Sequence, residues 1–105
     1  MSIKWGKYQF KGPYQISTWN PPYRAAIYAI MKKGSKPNTY TIIYFGESGN
    51  LSERGFVKSH HKYQDFIKDA GSENNLYIGF LLMPNSSAEQ RRKVESALKT
   101  KYNLN

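Results

Sequence analysis

Thr41-Ile42-Ile43-Tyr44-Phe45 is a run of β-branched and aromatic residues that stops at Gly46, passes through Glu47-Ser48-Gly49-Asn50 and reopens at Leu51 with the marks of a helix. The run has the composition of a packed strand. Asn50 has a side-chain oxygen able to accept a free amide of a first helical turn, and Glu53 stands where a capping box places its acid. The segment therefore predicts a strand-turn-helix corner. Such a corner exposes side chains at the strand's end and sets Arg54, on the helix, opposite them. From Arg54, helical spacing brings Lys58 and His61 to nearly the same face.

Upstream, Arg24 to Met31 reads as a strand buried on both faces, with Ile27, Ala29 and Met31 on one side and Ala26, Tyr28 and Ile30 on the other. The intervening Lys32-Lys33-Gly34-Ser35-Lys36-Pro37-Asn38 holds turn formers and three lysines, so the two runs make a hairpin with a basic tip. Lys33 and Lys36 are candidates for contact with a phosphate backbone; a solvated loop is the ordinary alternative. Lys62 to Ala70 has helical spacing and ends at Gly71. Asn75 to Met83 reads as a third strand, with Leu76, Ile78, Phe80 and Leu82 on one face. Ser86-Ser87-Ala88-Glu89 reads as a capping box opening a helix to about Lys101, with Val94, Ala97 and Leu98 in its buried stripe.

The expected fold is α+β: a small three-stranded antiparallel sheet flanked by helices in the order β-β-α-α-β-α, forming a domain over residues 24–105. Residues 1–23 carry Trp5, Tyr8, Phe10, Tyr14 and Trp19 between glycines and prolines. They read as an aromatic arm packed on that domain, with Gln15 to Trp19 as a short edge strand.

Sixteen Lys and Arg against seven Asp and Glu leave a formal charge of +9, an excess that attracts polyanions through steering and counterion release. Nucleic acid is the expected polyanion, with a basic surface kept only for solubility or an acidic-membrane binder as the alternatives. The nine tyrosines suit contacts with bases as well as a sheet core. With no cysteine the chain offers no thiolate zinc site and no thiol nucleophile. Gly46-Glu47-Ser48-Gly49 lacks the lysine of a phosphate-binding loop, and two adjacent histidines do not make a zinc site. Neither a signal sequence nor a membrane-crossing run is evident, and the expected setting is cytoplasmic, with no membrane partner.

Taken in order, Ala26-Ile27-Tyr28, Tyr44-Phe45-Gly46, Arg54, a following histidine, Glu95 on the last helix and an asparagine near the end form a set. This set resembles the GIY-YIG nuclease family, over roughly residues 24–105. The first triplet opens with Ala26 instead of glycine, and the terminal Tyr102-Asn103-Leu104-Asn105 lacks the family's proline, leaving Asn103 and Asn105 as alternatives.

The resemblance implies an endonuclease that hydrolyses phosphodiesters of DNA, ahead of RNA, at a single Mg²⁺, with Mn²⁺ as substitute, held by Glu95. One carboxylate suffices for an ion that keeps most of its waters; an ion pair with Arg91 or Lys99 is the structural alternative for the same acid. Arg54 would contact the scissile phosphate, and Tyr28 or Tyr44 would orient or deprotonate the attacking water. Family members often carry a histidine four residues after the arginine; here that position is Lys58, with His60 and His61 just beyond. Helical geometry favours His61 as the proton-handling group, with Lys58 as the alternative and as a nucleic-acid contact. A chain of this length has no separate recognition domain, so DNA shape, the arm or a protein partner would supply target choice. The rival expectations are a binding module of the same fold without turnover, and a protein-interaction domain.

Overall fold

The structure, a computed structural model, describes residues 2–52 and 60–104. Among these, the strands β1 (Ser2–Trp5), β2 (Tyr8–Gln15), β3 (Ala26–Lys33), β4 (Tyr40–Ser48) and β5 (Leu76–Leu82) form one sheet, and the helices are α1 (Tyr63–Ala70) and α2 (Ala88–Lys101). The sheet has five antiparallel strands in the order β1-β2-β5-β3-β4. This corrects the three-stranded expectation.

The two additional strands come from the segment read as an arm. Trp5 pairs with Tyr8 across a two-residue turn in which Gly6 adopts φ +61°, a backbone state that glycine takes without a Cβ penalty. β2 then runs along β5, pairing Lys11 with Phe80 and Tyr14 with Ile78, with a register shift between Lys11 and Tyr14. Gly12 and Pro13 occupy that shift. Gly12 sits at φ +116°, and a Cβ there would come within 2.8 Å of the Ile78 carbonyl oxygen. Pro13 has no amide to donate, so the ladder must skip it. This Gly-Pro break hides the strand in the sequence, because it splits an alternating run into two weak halves. Ile16–Thr18, expected as part of an edge strand, forms a single 3-10 turn.

β3 lies between β4 and β5 and is buried along most of its length. Its alternation divides the core as the sequence suggests. Ala26, Tyr28 and Ile30 join Leu76, Ile78 and Phe80 beneath Tyr63 and Phe66 of α1. Ile27, Ala29 and Met31 join Phe10 and Phe45 beneath Leu98 and Val94 of α2. Burying each large apolar side chain contributes about 1.5–3 kcal/mol, so a helix on each face closes both layers.

α2 opens one residue later than expected. Ser87 Oγ accepts the Gln90 amide at 3.1 Å, while Gln90 Oε1 accepts the Ser87 amide at 2.8 Å. Ser86 is engaged elsewhere: its hydroxyl donates to the Met83 carbonyl and accepts from Arg91. At the far end, Asn103 takes φ +56°, a left-handed state that stops a helix and that asparagine tolerates. The Tyr102 hydroxyl accepts the Gly6 amide at 2.8 Å, tying the end of α2 to the first hairpin.

The helix expected from Leu51 is a turn where it is described. Asn50 Oδ1 accepts from the Ser52 amide at 3.0 Å and from the Ser52 hydroxyl at 2.7 Å, a local closure typical of asparagine in turns. Arg54 and Lys58 lie outside the described residues.

Candidate active site

Tyr28 and Tyr44 stand on adjacent strands of the α1 face, their ring centroids 6.1 Å apart. The cross-strand neighbour of Tyr28 is Gly46, and the Tyr28 phenol lies where a Gly46 side chain would be: a Cβ built there would overlap its Cζ and Oη. Glycine at this position makes the room in which the phenol sits. The two sequence triplets therefore meet through one side chain and one missing side chain.

His60 closes the pocket from the far side. Its Nε2 is 3.1 Å from the Tyr28 hydroxyl, and its Nδ1 accepts the Lys62 amide at 3.1 Å. A ring whose Nδ1 accepts carries the proton on Nε2 when neutral, so His60 donates to Tyr28. The imidazole is wedged against Tyr44 and Phe66, at centroid distances of 5.3 Å from each. His61, which helical spacing from Arg54 favours, is exposed and stacks on the outer face of His60 at 4.6 Å. The bend at His60 and the turn at 61–62 place the first histidine inward and the second outward.

The acid arrives from α2. Glu95 Oε1 is 3.1 Å from Lys99 Nζ, one helical turn along, and the same ammonium stands 5.5 Å from the centroid of the Tyr44 ring. Of the two partners the sequence offers Glu95, the structure uses Lys99; Arg91 pairs with Glu47 at 2.9 Å. On the α1 side, Lys62 Nζ lies 5.2 Å from the same Tyr44 ring. The pocket thus collects two phenols, an imidazole, a carboxylate and two ammonium groups from β3, β4, α2 and the segment entering α1.

These charges act on one another. Burial holds the Tyr28 hydroxyl well above the usual tyrosine range, and Tyr44 and the negative charges of Glu95 and Glu47 push it the same way. At neutral pH Tyr28 is a phenol. Glu95, remote in sequence, is one of the negative charges that raise the Tyr28 hydroxyl, after burial and Tyr44.

Lys33 and Lys36 are exposed at the other end of the β3–β4 hairpin. Lys33 is five residues beyond Tyr28 on β3, about 17 Å at the ordinary strand rise. The structure does not bring them to the phenols. Asn103 ends α2, and Asn105 lies outside the described residues. Sequence reasoning passed over Glu47 and Lys99 as site members; the only signal for Lys99 was its place four residues after Glu95.

The donor set bears on which cation would fit. No group of three or more His, Asp or Glu side chains is gathered among the described residues. One carboxylate, half-occupied by an ammonium, suits a hard cation that keeps most of its own water.

No protein-family model, no curated protein and no solved structure matches the chain. No described helix is long and apolar enough to cross a membrane.

Proposed function

We infer that the protein is a magnesium-dependent endonuclease hydrolysing DNA phosphodiesters at the Tyr28–Tyr44–His60–Glu95 pocket. The observation that carries this reading is the 3.1 Å approach of His60 Nε2 to the Tyr28 hydroxyl, in a pocket that also holds Tyr44 and feels the charge of Glu95. A buried phenol needs packing and a hydrogen-bond partner for its hydroxyl. A phenol given a polar donor on one side and a carboxylate field on the other is arranged for proton chemistry.

Hydrolysis requires a water oxygen to bond to phosphorus while the bond from phosphorus to the leaving sugar oxygen breaks. The water's proton goes to the Tyr28 oxygen in its phenolate form, and the leaving sugar oxygen takes its proton from solvent. His60 donates a hydrogen bond to that oxygen and so favours the phenolate; burial opposes it. A divalent cation at Glu95 would supply positive charge beside the phenol and a grip on a phosphate oxygen. Arg54, by the resemblance to GIY-YIG nucleases, adds fixed charge on the scissile phosphate. Tyr44 walls the pocket and orients His60 through ring contact.

The test is nicking of supercoiled plasmid with Mg²⁺ and with Mn²⁺ by the native chain and by Tyr28→Phe, Glu95→Gln and Arg54→Ala. The reading expects cleavage by the native chain and losses of about 100-fold or more in each variant. Salt-sensitive DNA binding by all four proteins with no cleavage by any would replace it with a binding module.

A further inference from the structure

Beyond the pocket, an open groove of about 620 Å³ runs past the end of β4, lined by Tyr23, Arg24, Asn50, Asn85, Ser86 and Arg91. It has three features that packing alone does not require. Among the described residues Tyr23 is 76% exposed, far more than the next large apolar side chain, Tyr14 at 37%. A ring left in water beside a polar groove costs apolar contact and offers a stacking face. Arg24 is also exposed, and its Nη1 donates to the Tyr23 backbone carbonyl at 2.7 Å.

The third feature is Arg91, 93% buried by its 7% exposure. Its Nε binds Glu47 and its Nη1 binds Ser86, at 2.9 and 2.7 Å. Among the described residues Nη2 has no hydrogen-bond partner. It faces Gly49, where an added Cβ would come within 3.3 Å of it. The groove thus joins a buried guanidinium with an open edge, an exposed guanidinium and an exposed ring, on a chain of charge +9.

We propose that this groove is a single-strand nucleic-acid subsite, in which Tyr23 stacks on a base while Arg24 and the open edge of Arg91 hold the adjoining phosphate. Arg and aromatic side chains together recognise a nucleotide by its two invariant parts, the π-face and the anion, so the subsite is indifferent to sequence. Glu47 links it to the pocket, since the carboxylate that anchors Arg91 is one of the charges felt by Tyr28. Binding there stands without turnover.

The experiment measures binding of a fluorescein-labelled oligo(dT) and of an abasic oligomer of equal length, without divalent metal, by fluorescence anisotropy over a salt series. The proteins are the native chain, Tyr23→Ala and Arg24→Ala; both side chains are exposed and leave the core intact. Tyr23→Ala should weaken oligo(dT) binding roughly 10-fold and leave the abasic oligomer within twofold. Arg24→Ala should weaken both ligands and reduce the salt slope by about 0.7. Equal effects of Tyr23→Ala on both ligands, or none on either, overturn the subsite, as does a salt slope unchanged in Arg24→Ala. Because no cleavage is measured, these outcomes are independent of the plasmid assay: a chain that nicks DNA with an unchanged Tyr23→Ala affinity keeps its nuclease reading and loses the subsite.

Discussion

The hydroxyl of Tyr28 and Nε2 of His60 lie 3.1 Å apart, and the backbone amide of Lys62 occupies the other nitrogen of the same imidazole. The ring is therefore fixed in one tautomer with its proton aimed at the phenol. His60→Ala should lower nicking by about 100-fold or more, whereas His61→Ala, which removes an exposed ring stacked outside the pocket, should change it less than threefold. Single-turnover rates on a nicked-circle assay separate the two. A larger loss from His61→Ala than from His60→Ala would reject the assignment.

The pH profile carries a sign. Burial and neighbouring negative charge hold Tyr28 above the ordinary tyrosine value, so the fraction of phenolate grows as pH rises from neutrality. Nicking should climb about tenfold per pH unit above 7, flattening only where the phenolate becomes the main form. Stability moves the other way. The Tyr28 hydroxyl is raised by burial first; that of Tyr63, which donates to Glu73, is raised by burial first and then by that carboxylate. Their stabilising contribution is complete below the unfolded value near 10 and is lost as pH rises above it. Urea midpoints measured from pH 8 to 11 should fall above pH 10, and less steeply in Tyr63→Phe.

Gly46 holds the space filled by the Tyr28 phenol. Gly46→Ala should cost about 2 kcal/mol, read as a melting temperature lower by roughly 10 °C. The surviving folded protein should nick at least tenfold more slowly, because a phenol displaced by about 1 Å no longer meets His60. Native-like activity in this variant would show that the hydroxyl's position is unimportant.

Lys99 competes for the carboxylate a cation would need. Its bond to Glu95 is a one-turn helical pair, worth about 0.3–0.5 kcal/mol, which a divalent ion readily displaces. Lys99→Gln should lower the Mg²⁺ concentration giving half-maximal nicking by a few-fold. A raised midpoint would mean that Lys99 orients Glu95 instead of opposing the ion.

Arg91 matters to the fold as well as to the groove. Its guanidinium satisfies Glu47 and the Ser86 carbonyl from a buried position. Arg91→Ala leaves both without it and should cost about 3 kcal/mol in urea unfolding. Glu47→Gln in the same background should recover part of that loss, since the uncompensated charge is then gone.

The two-faced character of β3 and β5 was legible because both are continuous apolar runs whose alternate residues meet different helices. α1 and α2 were legible from spacing, with α2 displaced by one residue because Ser86 is consumed by Met83 and Arg91, whereas the helix expected from Leu51 is a turn where it is described. β1 and β2 were not. A strand broken by Gly12-Pro13 gives no long periodic signal, and its partner β5 is remote in sequence. Tyr28, Tyr44 and Glu95 were singled out by the resemblance alone, and the structure sets the first two side by side. The choice between His60 and His61 could not be made that way, since it depends on a bend that helical spacing from Arg54 does not contain. Gly46 showed its identity in the sequence but not its role, because what it accommodates belongs to another strand.

The seating of β2 on β5 has one more effect. Leu-Tyr-Ile-Gly-Phe-Leu-Leu, the whole of β5, is free of charge and of proline, and with the leading hairpin trimmed away its outer row of amides and carbonyls would border solvent. Such a margin recruits copies of itself. Residues 2–15 cover that margin and so keep it from edge-to-edge pairing with other copies, whatever chemistry the faces of the sheet perform.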